Sequence, residues 1–250
     1  MTKKTLFLSS IPIMVLPAFA VVSCAGTTKS PEQQEENELA RLAFLTIKAG
    51  LSVIAKDWKP NNSVEFEEMI KRLAFTTMVK NAEFKIQTED KYFIVNYKFL
   101  APSGSFDEFF KDGIVSKTEE FTGSWKFPIL ALEPDLKPPT DPLETSGAGE
   151  FYFLTFKQEL VGETSKTPLS NTDAVQSLKN RLLEMFPYNP KSKTGLKSLD
   201  IKIEGDFFIF DYELETPKGS IWDNTGQDPS KLPPDRETLK GTIKASGRKN

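Results

Sequence analysis

The sequence predicts an α+β protein made of two tandem copies of one small domain, each with about two helices packed on one face of a three-stranded antiparallel sheet. Three observations predict it. The chain carries an internal duplication, each copy opens with apolar residues at helical spacing, and each continues with segments that alternate apolar and polar residues.

A shift of 109 residues lays Phe44-Leu45-Thr46-Ile47-Lys48 on Phe153-Leu154-Thr155-Phe156-Lys157, Leu51 on Leu160 and Arg72-Leu73 on Arg181-Leu182. A shift of 115 lays residues 86–106 on 201–221 without a gap; eight of these 21 positions are identical, among them Tyr97 with Tyr212, Pro102 with Pro217, Gly104 with Gly219 and Ser105 with Ser220. At 118, Glu119, Gly123 and Lys126 fall on Glu237, Gly241 and Lys244. The second copy is thus longer by six residues near 188–194 and by three after Ser220, both in stretches of loop composition, where insertions are tolerated.

Residues 1–23 read as an export signal. Lys3 and Lys4 give a positive start, and Leu6 to Val22 form an uncharged apolar stretch interrupted by Pro12 and Pro17, which weaken it as a spanning helix. Val21-Val22-Ser23-Cys24 then matches the lipoprotein cleavage pattern, with an aliphatic residue at −3, a small one at −1 and cysteine at +1. The thiolate of Cys24 is the soft nucleophile that accepts a diacylglyceryl group. Two acyl chains anchor stably where one does not, because each buried methylene contributes about 0.8 kcal/mol. Lipidated Cys24 and the polar run to Asn37 form a tether over residues 24–37.

The first copy is expected over residues 38–130. Leu39, Leu42, Ala43, Ile47, Leu51 and Ile54 recur at helical spacing. A second helix begins near Asn62 or Ser63, with Glu65, Glu67 and Glu68 where the helix dipole favours acids and Phe66, Met69, Ile70, Leu73 and Thr77 along one face. Three strands follow. Phe84, Ile86 and Thr88 alternate with polar residues, as do Phe93, Val95, Tyr97 and Phe99, then Phe121, Gly123, Trp125 and Phe127. Asp90-Lys91 fits a tight hairpin. Residues 131–149 read as a linker, stiff through four prolines and then flexible through Ser146-Gly147-Ala148-Gly149.

The second copy is expected over 150–247. Its opening segment, Phe151 to Phe156, fits a helix or the start of a strand; Val175, Leu178, Leu182 and Met185 mark its second helix; Phe208, Phe210, Tyr212 and Leu214 repeat the central strand, after a turn at Gly205-Asp206.

Composition narrows the chemistry. There is no histidine and only one cysteine, which removes Ser-His-Asp and Cys-His sites, His-ligated metals and any disulfide within the chain. The net charge is −3, and without the leader's two lysines about −5, with no basic stripe, so nucleic acid is not an expected partner. No cofactor, metal or catalytic residue is expected, and the chain reads as no enzyme. The Pro-x-Gly-Ser turn shared by the copies reads as a turn required by the fold, with a ligand loop as the alternative because Asp107, Glu108, Asp112, Asp223 and Asp228 follow it. Residues 223–228 resemble a calcium loop but lack its closing glutamate. Trp58, Phe109, Phe110, Tyr188 and Trp222 have no evident core slot. Of these, Phe109, Phe110 and Trp222 are the candidates for partner-binding loops, against packing back onto the sheet.

The Ser23-Cys24 lipobox, the absence of further cysteine, the body rich in Lys and Phe (20 Phe) and the tandem domains together resemble the surface lipoproteins of mollicutes. The repeats are similar to the lipoprotein-associated domain of those proteins. That resemblance implies a membrane-anchored surface antigen or adhesin facing the extracellular side, with a host or surface protein as partner and no catalytic residues. The alternative expectation is a substrate-binding lipoprotein of a transporter, a class that needs two α/β lobes around a cleft.

Overall fold

The structure, a computed structural model, describes residues 37–56, 63–77, 79–113, 117–139, 147–169, 172–225 and 235–248. The leader, Val21, Val22, Ser23, Cys24, most of the tether, Trp58 and the loop containing Asp228 lie outside the described residues.

The first unit runs α1 (Glu38–Lys56), α2 (Ser63–Thr76), β1 (Lys80–Glu89), β2 (Tyr92–Ser103), α3 (Phe106–Asp112) and β3 (Lys117–Pro128). The second repeats it as α4 (Gly147–Thr164), α5 (Thr172–Met185), β4 (Gly195–Glu204), β5 (Phe207–Pro217), α6 (Ile221–Asn224) and β6 (Arg236–Ser246). Each unit has an antiparallel three-stranded sheet, ordered β1-β2-β3 and β4-β5-β6, with its helices packed on one face. The fold is α+β in two tandem units of one design. A short helix after the central strand, α3 or α6, completes each unit.

Alternation sets the register. Val95 lies opposite Ile86 and Trp125, and Phe99 opposite Phe121, so the apolar set of all three strands faces the helices. Asp90 (φ 52°) and Gly205 (φ 60°) open the two-residue hairpin turns. Tyr97 pairs with Gly123 and Tyr212 with Gly241. Each tyrosine hydroxyl lies where a glycine side chain would be, at 2.6 Å and 3.1 Å from the Cβ it would carry. The glycine in the third strand is therefore a seat for the ring of the second.

Helix α1 buries two faces. Ala40, Ala43, Ile47, Leu51 and Ala55 join Phe93, Val95, Phe99 and Trp125 in the first core. Leu39, Leu42, Leu45 and Ala49 belong instead to the core of the second unit, with Phe156, Leu160, Phe208 and Phe210. The units are docked, not strung on a linker.

Two expectations about α4 change with this docking. Residues 151–156 are helical, so the strand alternative falls; a helix packed against its own sheet, α1 and α3 spreads its apolar residues around its circumference and loses one-sided periodicity. Gly147, Ala148 and Gly149, assigned by sequence to the flexible linker, form the buried first turn of α4. Two methionines expected on the inner faces, Met69 and Met185, point to solvent, while Ile70, Leu178 and Leu182 are buried.

Candidate functional site

The Pro-x-Gly-Ser turns build the seam between the units. Gly104 (φ 153°) and Gly219 (φ 104°) take backbone conformations that side chains rarely allow, and each reverses the chain as it leaves the central strand. The carbonyl of Gly104 accepts from Leu39 N at 3.1 Å, and that of Gly219 from Ala148 N at 3.1 Å, so each turn also ties down the start of its unit's first helix. Ser105 caps α3: its Oγ accepts from Glu108 N at 3.2 Å, and Glu108 returns a carboxylate to Ser105 N at 3.4 Å. Ser220 Oγ likewise accepts from Asp223 N at 3.1 Å to cap α6. Of the acids after the turns, Glu108 and Asp223 take part in capping and Asp107 in the seam, while Asp228 lies outside the described residues.

Each turn launches its short helix onto the opposite unit. Helix α3 lies on α4 and β6, where Asp107 accepts from Ser246 N at 2.8 Å and from Ser246 Oγ at 2.7 Å. Helix α6 lies on α1, where Trp222, 6% exposed, meets Phe127 at 5.8 Å between ring centroids. Lys56 Nζ sits 4.8 Å from the Trp222 ring and donates to the carbonyls of Trp222 and Thr225. Burial pushes the Lys56 ammonium down to about 8, against a smaller upward pull from Asp223.

At the centre, Arg41 and Glu150 occupy equivalent positions of the two copies and form a bidentate pair, Nε to Oε1 at 2.7 Å and Nη2 to Oε2 at 2.6 Å. Equivalent positions meet only near a twofold axis, so the two units relate as the halves of an isologous dimer do. Beside this pair, buried Glu38 bonds Lys157 and accepts from Phe106 N at 3.1 Å. The equivalent of Glu38 is Gly147, so that ion pair exists on one side only.

The structure therefore relocates the three candidate binding residues. Phe109 and Phe110 are in helix α3, not a loop, with rings 5.2 Å apart and turned against the second core; the Phe110 ring lies 3.0 Å from where a side chain on Gly162 would begin. Trp222 is buried in the first core. Packing explains them, but across the seam, which no local spacing could show. The legible signal was the surplus apolar face of α1. Tyr188 remains exposed, with Lys197 Nζ 5.6 Å from its ring.

Among the described residues, the outer faces of the sheets and a cleft at the seam are open. The outer faces of the sheets carry cross-strand ion pairs: Lys126–Glu89 at 3.1 Å, Lys98–Glu120 at 3.4 Å, Lys202–Asp211 at 3.1 Å and Lys240–Glu213 at 3.0 Å. A hydrogen bond from Thr242, then Lys202, lowers the Asp211 carboxyl, and Asp211 raises Lys202. Such exposed pairs contribute little to stability, because solvent screens them. The second surface is a cleft of about 350 Å³ at the seam, lined by Asp107, Phe110, Lys111, Val161, Phe207 and Arg248 among others.

Among the described residues no group of three or more His, Cys, Asp or Glu could hold a metal ion, and no helix is long and apolar enough to cross a membrane. Comparison with protein-family models, curated proteins and solved structures returned no match.

Proposed function

We propose that the chain is a bacterial surface lipoprotein, cut before Cys24, lipidated there and held at the outer side of the cell membrane, with a non-enzymatic role in adhesion to a host or surface protein or in antigenic display. The observation that carries the reading is Val21-Val22-Ser23-Cys24 directly behind an uncharged apolar stretch, with a polar tether after it. The resemblance to mollicute lipoproteins supports it, and so does a composition without histidine, which leaves little for acid–base catalysis at neutral pH.

Docking of the units refines how such a protein would engage a partner. Two flexibly linked modules would gain avidity over a range of spacings. Two units fixed by a shared seam present their solvated sheet faces in one relative orientation, so a partner that engages both must match that geometry.

Mass spectrometry of the native N-terminus tests the assignment. A diacylglyceryl-modified Cys24 as the first residue, lost together with detergent partitioning in a Cys24→Ser variant, is the expected result. An unmodified Cys24 or a chain still beginning at Met1 contradicts it. For adhesion, the 25–250 chain should capture a host surface protein, with binding lost when the outer-face charges of one sheet are reversed.

A further inference from the structure

The two sides of the seam differ at one pair of equivalent positions, and the difference leaves a hole. Asp107 and Trp222 each stand two residues after the capping serine of their short helix, at the shift of 115 that aligns the central strands. In the first unit the Trp222 indole fills its place, against Phe127 and beneath Lys56. In the second, Asp107 turns to Ser246 instead. The two residues against the Trp222 ring shrink in step: Lys56 is matched by Ser165 and Phe127 by Ala245, and Ser165 and Ser246, the residue after Ala245, line the cleft of about 350 Å³. The cleft is the seat of a missing ring.

We propose that this cleft binds one aromatic ring of indole size presented by a partner polypeptide. Its volume is at the small end of about 300–1,000 Å³ for ligand sites, which suits one ring system. Phe110, Val161 and Phe207 supply apolar walls, and Lys111 and Arg248 add cationic side chains to the lining, of the kind that Lys56 provides over Trp222. Asp107 has both carboxylate oxygens engaged by Ser246, and Asp206, the second acid of the lining, also has a partner. The occupant is argued from the molecule itself: the equivalent seat in the first unit already holds a tryptophan carried on a peptide.

The test uses the 25–250 chain, which keeps every described residue, titrated with N-acetyl-tryptophanamide, free indole and N-acetyl-leucinamide while amide NMR signals are followed. N-acetyl-tryptophanamide should give saturable shifts confined to Lys111, Ser165, Ser246 and their neighbours, and should bind roughly tenfold more tightly than the leucine analogue. Ser165→Phe, which fills the cleft from α4, should weaken binding by roughly tenfold or more. Ser165→Lys installs the cation that the first unit places over Trp222 and should keep or tighten binding while the spectrum stays folded. Absence of saturable shifts in the unsubstituted chain overturns the proposal, as do shifts spread outside the cleft or equal binding of the leucine analogue. Unchanged binding in Ser165→Phe overturns it too. Binding of free indole without the blocked amino acid overturns the polypeptide source.

Discussion

At one equivalent position of the two short helices, the first unit receives an apolar ring from its neighbour and the second receives a carboxylate. Trp222 enters the first core and is shut in by Phe127 and Lys56. Asp107 stays at the edge of the second and fastens to the last residue of β6, leaving Phe110 to cover part of α4. The backbone device is the same on both sides: a glycine at positive φ, a capping serine and a helix sent across the seam. The two copies share this framework and differ in the residue that makes the contact.

Trp222→Ala should break this comparison most visibly. It should destabilise the protein by about 3–5 kcal/mol in denaturant titration. Loss of hydrogen-exchange protection should fall in α1 and β3 of the first unit although the residue belongs to the second. Asp107→Ala leaves Ser246 N without its acceptor and should cost about 1–3 kcal/mol, with protection lost around β6. If the two variants cost the same, the seam is not asymmetric.

The glycine seats sharpen the comparison. An alanine Cβ would lie 2.6 Å from the Tyr97 hydroxyl at position 123 but 3.1 Å from that of Tyr212 at position 241. Gly123→Ala should therefore cost about 1–3 kcal/mol and Gly241→Ala measurably less. Arg41→Ala and Glu150→Ala in a double-mutant cycle should show a coupling of about 1 kcal/mol that shrinks with added salt, since both side chains are partly exposed.

A further effect is in pH. Burial lowers Lys56 to about 8 in the folded protein, from 10.5. Between those values the unfolded chain keeps a proton that the folded one has released, so Lys56 makes stability rise with pH across that window. The neutral amine still donates to the two carbonyls. Lys56→Met should remove this rising component, read as the difference in stability between the two proteins from about pH 8 to pH 10.5.

Much of the fold was legible because most elements bury one face. Ile86, Val95, Phe99 and Trp125 alternate as strands should, and α1 shows its spacing. The opening of α4 was not legible, since Phe151 to Phe156 meet neighbours around much of the helix and leave no polar side to set a period. The seam was hidden for a different reason. Arg41 and Glu150 are 109 residues apart, and Lys56 lies 166 from Trp222, so no local pattern pairs them. Phe109, Phe110 and Trp222 looked like spare aromatics because the core that takes them belongs to the other copy. The lipidation proposed at Cys24 is the reverse case: it rests on local sequence alone and on no feature of the fold.

Hydrogen exchange across both sheets of the unmodified 25–250 chain tests the docking most directly. The slowest amides of β2 and β5 should open with the same free energy and shift together in denaturant, because each core contains residues of the other unit. Two separate opening energies, with β2 or β5 protected after the other has exchanged, would mean that the units are independent domains and that the seam does not hold them together.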